Sequence, residues 1–127
     1  MKLLLDTHAF VWWFNEPNRL SARASSILRS SGNLVCISAA VAWELAIKVN
    51  LGKIGALPLV ADLALHVAEE GFAELPISIT QAVRAGLLPR HHRDPFDRLL
   101  VAQAQDLNLP VLSADRVLDR YDVKRIW

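Results

Sequence analysis

The sequence predicts a single α/β domain built around a mainly parallel sheet. Short apolar runs such as residues 34–37 (LVCI), in which polar residues do not alternate with apolar ones, are separated by longer segments of helical spacing. Strands without alternation are typical of a parallel sheet that helices cover on both faces. The chain has 127 residues, which suits one domain with one core. No repeat, linker or low-complexity segment divides it, so we expect residues 1–127 to form one domain.

The first half of the chain predicts two strands and three helices. Residues 2–5 (KLLL) predict a strand that ends at Asp6, and residues 34–37 predict the second strand. Serine N-caps and glycine stops place the helices. They are predicted over residues 22–30 with Ser21 as the cap and Gly32 as the stop, over residues 39–50 with Ser38 as the cap, and over residues 59–70 before Gly71.

The second half predicts one strong helix among weaker elements. Residues 95–107 (PFDRLLVAQAQDL) have helical spacing, and Asn108 follows as a stop. The weaker elements are a short strand at residues 73–77, a short helix at residues 79–88 interrupted by Gly86, a strand at residues 110–112 and a last edge strand at residues 122–126.

The composition indicates that a partner chain covers part of the surface. Hydrophobic residues make up 53% of the sequence, which is above the usual range for a small domain. Some of this apolar surface is expected to meet another chain. We expect one of Trp12 and Trp13 to lie in the core and the other to face that partner; stacking on nucleic-acid bases is the alternative.

Cysteine usage and hydropathy indicate the compartment. Cys36, the only cysteine, lies in an apolar run and is expected to be buried. A single cysteine allows no disulfide within the chain and no cysteine-based zinc site. Asp6 and His8 interrupt the apolar start, and no apolar run has membrane-spanning length. We therefore expect a cytoplasmic protein that does not enter a membrane.

Acidic residues fall near the ends of the predicted strands. Asp6 follows the first strand, and Asp115 follows the strand at residues 110–112. Ligands bind beyond the carboxyl ends of strands in open α/β sheets, although either acid alone could be a helix cap. Glu44 lies in the apolar helix predicted around it, where a carboxylate is costly unless it is paired or bound to a cation. Either Lys48, four residues on, or a cation would satisfy it.

Residues 91–98 (HHRDPFDR) hold two aspartates that stand close together. Asp94 precedes Pro95, which suits the first helical position, so Asp94 is the expected N-cap. Asp97 then falls at the third helical position, where an acid interacts favourably with the helix dipole. Helix geometry alone explains both aspartates. We assign the cap to Asp94 and expect Asp97 to point outward at the sheet edge.

Four segments that together cover nearly the whole chain are LLLDTHAFVWW, ISAAVAWELAIKVNLGKI, LLPRHHRDPFDRLLVAQA and LSADRVLDRYDVKRI. In this order they resemble the motifs of PIN-domain ribonucleases, and most closely the VapC-type toxins of bacterial toxin–antitoxin pairs. The block DPFDRLLVAQA is the most specific of them. The resemblance implies a three-layer α/β/α sandwich around a five-stranded, mainly parallel sheet.

The resemblance also implies a group of acids that binds Mg²⁺ or Mn²⁺. Carried over residue by residue, these acids are Asp6, Glu44, Asp97 and Asp115, with Ser113 where the family has Thr or Ser. Ala42 departs from the pattern, because relatives often carry a serine there. Hard divalent ions held by carboxylates activate water and relieve charge on phosphate. The implied function is therefore a metal-dependent endoribonuclease, the toxin of a pair, with a cognate antitoxin and a homodimer or larger assembly.

Basic and polar residues beside the acids are the candidate contacts to RNA. His92 and Arg93 could contact phosphate, and a solvated loop is the simpler interpretation of both. Arg98 either pairs with a carboxylate or binds phosphate. We take Ser113, Arg98 and His92 as the predicted substrate-binding residues.

Two other classes of protein compete with this function. A phosphatase of the haloacid dehalogenase type also begins with a strand and an aspartate, but it needs a second aspartate where this chain has His8. A catalytically silent PIN-like or receiver-like domain would bind metal and a protein partner without cutting RNA. The four acids favour the nuclease. No motif in the sequence specifies which RNA is cut.

Overall fold

A central sheet of five parallel strands organises the protein. In the computed structural model, which describes all of residues 1–127, the strands are β1 (Lys2–Leu5), β2 (Leu34–Ser38), β3 (Ala73–Leu75), β4 (Val111–Leu112) and β5 (Arg125–Ile126). Their order across the sheet is β3-β2-β1-β4-β5, and every neighbouring pair is parallel. The predicted α/β class with a five-stranded parallel sheet is confirmed, and the last strand lies at an edge as expected.

Helices connect these strands. The α-helices are α1 (Thr7–Asn15), α2 (Ala22–Arg29), α3 (Ala39–Asn50), α4 (Leu57–Ala61), α5 (Leu63–Glu69), α6 (Ile79–Leu87) and α7 (Pro95–Leu107), and two short 3₁₀ helices span Pro17–Arg19 and Arg116–Arg120. The predicted caps are confirmed, because Ser21 accepts the N–H of Ala24 and Ser38 accepts that of Ala40, each at 3.0 Å. None of the helices combines the length and apolar character that crossing a membrane requires.

The helix α1 has no counterpart in the sequence prediction. Asp6 ends β1 as expected, but its side chain also accepts the N–H of Ala9 at 2.8 Å and caps a helix that begins at the next residue. The change from strand to helix leaves no intervening turn. Phe10 and Ala9 of this helix are fully buried, so packing against the sheet stabilises it.

Two other helices differ from their predicted form. Residues 59–70 do not form one helix, because Asp62 has a non-helical backbone (φ −126°, ψ 41°) and separates α4 from α5. In contrast, α6 runs through Gly86 without interruption. One glycine costs a helix only about 1 kcal/mol relative to alanine, and a capping box formed by Ser78 and Gln81 stabilises the start of α6.

The strand β1 lies at the centre of the hydrophobic core. Residues 3–5 have no exposed surface, and Cys36 in β2 is buried as predicted. From β1 the chain first builds the sheet toward β2 and β3, and it then returns to add β4 and β5 on the other side. The order therefore reverses between β1 and β4, and ligands of open α/β sheets bind at such a point. Asp6 and Ser113 follow the two strands at this point.

The tryptophan pair differs from its prediction. Trp12 and Trp13 are both half-buried and packed within their own chain. The rings of Trp12 and Trp127 meet edge to face, with 5.9 Å between their centroids, and Trp13 donates its indole N–H to Glu70 at 3.1 Å. Neither lies fully in the core, and contact of one of them with a partner stays a prediction. The most exposed tryptophan is Trp43, with 59% of its surface accessible.

Candidate metal centre

Asp6 is held firmly at the carboxyl end of β1. One carboxylate oxygen accepts the N–H of Ala9, and the other accepts the hydroxyl of Ser113, which follows β4. The residue is only 8% exposed. Burial raises the pKa of Asp6 above its ordinary value, and the donors Ser113 and Ala9 offset only part of this increase. Ser113 thus acts on the site through Asp6.

Glu44 in α3 is buried, with 3% of its surface exposed. Its Oε1 accepts the hydroxyl of Thr7 at 2.6 Å, and its Oε2 forms an ion pair with Lys48 Nζ at 2.6 Å. The ordinary i,i+4 partner that the sequence offered is therefore present. Because Thr7 is adjacent to Asp6, the hydrogen bond from Thr7 also ties Glu44 to the end of β1.

The two aspartates of the DPFD stretch have different surroundings. Asp94 caps α7, because its Oδ1 accepts the N–H of Phe96 at 2.8 Å and that of Asp97 at 3.4 Å. Pro95 occupies the first helical position as predicted. The carboxylate of Asp97, one turn into the helix, accepts no hydrogen bond from any protein group. It is the one acid of the four that lacks a protein donor.

Asp97 is half-buried, and the groups around it strongly perturb its pKa. Burial, and then the charges of Asp94, Glu44 and Asp115, raise its pKa to about 7, although His92 lowers it in part. A carboxyl group with this pKa in a group of acids is poised to lose its proton to a cation.

Asp115 lies after β4 at the start of a 3₁₀ helix. Its Oδ1 accepts the N–H of Val117 at 3.0 Å, and its Oδ2 lies 2.8 Å from Nε2 of His92. Burial raises the pKa of Asp115, but the hydrogen bonds from His92 and Val117 outweigh it, so the pKa lies below its ordinary value. Asp115 is therefore ionised at pH values at which Asp97 is still partly protonated.

The fold brings the four predicted acids to one edge of the sheet. The charge of Asp115 raises the pKa of both Asp6 and Asp97, and the charge of Glu44 raises that of Asp97. Ligand atoms of Asp97, Asp115 and His92 all lie within 4.8 Å of one another. Carboxylate oxygens, one of them without a donor, suit a divalent cation. Asp6 and Glu44 are outside this tight trio and have protein donors on both oxygens.

The sequence did not predict that His92 lies among these acids. Its side chain is only 9% exposed, and its ring stacks on that of Tyr121 with 5.4 Å between centroids and 9° between planes. The sequence suggested a solvated loop or a phosphate contact. Its proximity to the DPFD stretch was the only signal, because Asp115 and Tyr121 lie 23 and 29 residues away.

Arg98 stabilises the loop between α6 and α7. Its guanidinium group donates hydrogen bonds of 2.9 to 3.3 Å to four backbone carbonyls, those of Gly86, Leu88, Pro89 and His92. It pairs with no carboxylate, which was one of its two predicted roles. Beside it a cavity of about 610 Å³ is lined only by polar residues and glycine, namely Gly86, Arg90, His92, Arg93 and Arg98.

Comparisons with known proteins agree with this architecture. The family model of the PIN domain matches residues 3–124. Ribonuclease VapC22 of Mycobacterium tuberculosis is 35% identical over 122 residues, which cover 91% of this chain and 88% of the relative. Among solved structures, VapBC2 from Rickettsia felis bound to a DNA fragment from its promoter superposes with a TM-score of 0.74 at 16% identity, covering 99% of this chain and 98% of that one.

A toxin–antitoxin complex from Klebsiella pneumoniae gives a TM-score of 0.69 at 18% identity, covering 98% of this chain and 96% of that one. At these identities, the two solved structures establish the fold alone. The family model and the relative from M. tuberculosis both span almost the whole sequence. The chain therefore belongs to the PIN-domain family, within its VapC group.

Proposed function

We propose that this protein is a metal-dependent endoribonuclease, the toxin of a toxin–antitoxin pair, which hydrolyses RNA phosphodiester bonds with Mg²⁺ or Mn²⁺. The observation that carries this proposal is the carboxylate of Asp97, which no protein donor satisfies and which stands beside Asp115 at the switch point of the sheet. A 35% identical relative is named a ribonuclease.

The four acids divide into two pairs by their surroundings. Asp97 and Asp115 would hold the ion directly, since their ligand atoms lie close together and Asp97 accepts no other bond. Asp6 and Glu44 would complete the site directly or through water, because Ser113 and Thr7 orient them. When bound, a divalent ion activates water for attack and neutralises charge that develops on the phosphate.

The polar cavity that is lined in part by His92, the neighbour of Asp115, would receive the RNA backbone. Arg90 and Arg93 are exposed there, and neither donates a hydrogen bond within the chain. They can therefore pair with phosphate oxygens. Arg98, His92 and Ser113, our predicted substrate contacts, each have a partner within the chain, so contact with RNA through them stays a prediction.

A cognate antitoxin is the proposed protein partner. The two solved structures of similar fold are toxin–antitoxin complexes. An apolar cavity of about 610 Å³ lies among α3, α5 and the carboxyl ends of β2 and β3, and its lining includes Leu63, Val67 and Leu75. Such a cavity suits a peptide with apolar side chains. A cytoplasmic location accompanies the proposal, because cellular RNA is the proposed substrate.

A homodimer is also part of the proposal. Ile79, Val83 and Leu87 form a stripe on α6 at intervals of four residues, with exposures of 86%, 56% and 82%. One helix face with three large apolar side chains in water is typical of an interface. This stripe is a second reason to expect a dimer, beside the tryptophan pair.

Thermal melting tests the metal site. Clustered carboxylates repel one another, and a ligand that binds only the folded state raises its stability. The melting temperature should therefore rise when Mg²⁺ or Mn²⁺ replaces EDTA, and the rise should be lost in Asp97→Asn. Identical melting curves in EDTA and in excess of both metals would show that the acids do not form a metal site.

A catalytically silent domain that binds metal and a partner is the alternative. It is favoured by one observation, that Asp6 and Glu44 already have protein donors on both carboxylate oxygens. Incubation of the purified protein with total RNA discriminates the two functions. Metal binding accompanied by new RNA ends supports the nuclease, whereas metal binding without any new ends supports the silent domain.

A further inference from the structure

The imidazole ring of His92 is directed into the group of acids. Its Nε2 lies 2.8 Å from Oδ2 of Asp115, and one ligand atom from each of His92, Asp115 and Asp97 lies within 4.8 Å of the other two. The side chain is 9% exposed, so it is not a mobile surface histidine. The established motifs of the family, as carried over to this chain, contain acids alone at this place.

The separation between these two atoms suits shared coordination of one ion. Two ligands at right angles around an ion with bonds of about 2.1 Å lie about 3.0 Å apart. The distance from Nε2 of His92 to Oδ2 of Asp115 is 2.8 Å. Both atoms can therefore bind the same cation with only a small shift.

Tyr121 provides the partner that a metal-binding histidine requires. Its hydroxyl lies 3.2 Å from Nδ1 of His92, accepts the backbone N–H of His92 at 2.9 Å and donates to the carbonyl of Pro89 at 3.4 Å. When the hydroxyl directs its own proton to Pro89, its oxygen can accept a hydrogen bond from Nδ1–H of His92. The lone pair of Nε2 is then available to a metal ion. Histidine ligands commonly have their second nitrogen fixed in this way.

The two tautomers of the His92 ring suit the two states of the site. With its proton on Nε2, the ring can donate a hydrogen bond to Asp115, and Nδ1 can accept one from the tyrosine hydroxyl. With an ion bound, Nδ1 would carry the proton and donate a hydrogen bond to the hydroxyl of Tyr121. The ring gives up one proton at Nε2 and takes one at Nδ1, so its charge does not change. Tyr121 turns its hydroxyl toward Pro89.

We propose that His92 is a direct nitrogen ligand of the metal centre, which makes the centre favour a first-row transition ion such as Mn²⁺ over Mg²⁺. This inference rests on the proposed function, since it requires the acids to bind a metal. Imidazole binds transition ions well, with affinities that follow the Irving–Williams order, whereas Mg²⁺ prefers oxygen ligands. A site of carboxylates alone would show a weaker preference for Mn²⁺.

Pulsed electron paramagnetic resonance of the Mn²⁺-loaded protein tests the inference without reference to activity. A directly bound imidazole nitrogen modulates the electron spin echo of Mn²⁺. The wild-type protein should show this nitrogen modulation, and His92→Gln should lack it while still binding Mn²⁺. Wild-type protein that binds Mn²⁺ without nitrogen modulation would overturn the proposal, whatever the folding of any variant.

Two other histidines serve as matched controls. His91 is the exposed neighbour of His92 in the same loop. His8 is near the acids, since its charge lowers the pKa of both Asp6 and Asp115. His91→Gln and His8→Gln should each keep the nitrogen modulation. Loss of the signal in His8→Gln, with retention in His92→Gln, would assign the ligand to His8 and overturn the proposal.

Calorimetry separates a ligand from a residue that only orients Asp115. Loss of a residue that only orients a metal ligand weakens binding by roughly tenfold or more. If His92 is itself a ligand, His92→Gln should weaken Mn²⁺ binding by at least this factor. The affinity for Mg²⁺ should change far less. Equal losses for both ions would indicate orientation alone and contradict direct ligation. If wild-type protein binds neither ion, the proposed function fails together with this inference; binding without nitrogen coordination overturns only the inference.

Discussion

Asp94 accepts a hydrogen bond from the backbone N–H of Asp97, whereas the carboxylate of Asp97 accepts none. The two aspartates are three residues apart at the start of one helix. Asp94 caps the helix, and the carboxylate of Asp97 remains available at the sheet edge. The Oδ1 of Asp94 accepts two amides, which directs this side chain to the start of the helix. This division underlies the first prediction.

Replacement of the two aspartates should change stability in opposite directions. Asp94→Ala removes the cap of α7 and should cost about 1 kcal/mol of the unfolding free energy. Asp97→Asn removes a charge that interacts unfavourably with Asp94, Glu44 and Asp115, so without metal it should leave the stability unchanged or increase it. Urea unfolding in EDTA measures both. A destabilised Asp97→Asn together with an unaffected Asp94→Ala would reverse our assignment of the pair.

The raised pKa of Asp97 predicts a pH dependence of stability in the absence of metal. Its folded-state pKa of about 7 lies above the ordinary value of 3.8. As the pH rises through this interval, the unfolded state loses its proton first, so the contribution of Asp97 to the unfolding free energy falls between about pH 4 and pH 7. Below that window the contribution is fully present.

The difference between wild-type protein and Asp97→Asn isolates this contribution. The stability of the variant relative to wild type should increase as the pH rises across the same window, and affinity for Mn²⁺ in wild type should increase with it, because the proton and the ion compete. Groups that do not interact with Asp97 titrate alike in both proteins and therefore cancel in the comparison. A difference that does not vary with pH would show that Asp97 titrates normally.

Arg98 should prove a determinant of loop structure. Lysine lacks the planar fork that lets the guanidinium reach four carbonyls. Arg98→Lys should lower the unfolding free energy by about 2 kcal/mol, the range for hydrogen bonds to a charged group. Amide hydrogen exchange over residues 86–93 should speed up. The control is Arg93→Lys, since Arg93 is exposed and should tolerate the change.

The apolar stripe on α6 should hold two copies of the chain together. A charge at its centre, in Val83→Glu, should convert a dimer into a monomer because a carboxylate buried in an apolar interface is unpaired. Leu65→Glu on α5 is the matched control, since Leu65 is similarly exposed at 55% and lies off the stripe. Light scattering gives the mass. A monomeric wild type, or a dimeric Val83→Glu, would exclude this stripe as the interface.

The sheet and the convergence of the acids could be predicted because their signals are local. Buried parallel strands lack alternation, and Asp6 and Asp115 follow such strands. Helix caps at Ser21, Ser38 and Asp94 are also local, since each bonds to an amide two or three residues on. The resemblance to PIN-domain motifs then supplied the expectation of a metal site.

The features that the sequence did not predict depend on contacts between distant residues. The place of His92 follows from Asp115 and Tyr121, which lie 23 and 29 residues away. The sequence suggested that Arg98 pairs with a carboxylate or binds phosphate. Its actual partners are carbonyls, and they depend on how the preceding loop folds back. The helix α1 was missed because Asp6 both ends a strand and caps a helix, which removes the usual turn signal.

Cleavage of RNA by the purified protein, freed of any partner, tests the central claim most directly. Wild-type protein and Asp94→Ala should both generate new RNA ends, detected by sequencing, when Mn²⁺ or Mg²⁺ is present, and neither should do so in EDTA. Asp97→Asn should remain folded and lose this cleavage. Cleavage by Asp97→Asn at the wild-type rate, or equal cleavage in EDTA, would contradict the assignment of Asp97 and its metal to the reaction.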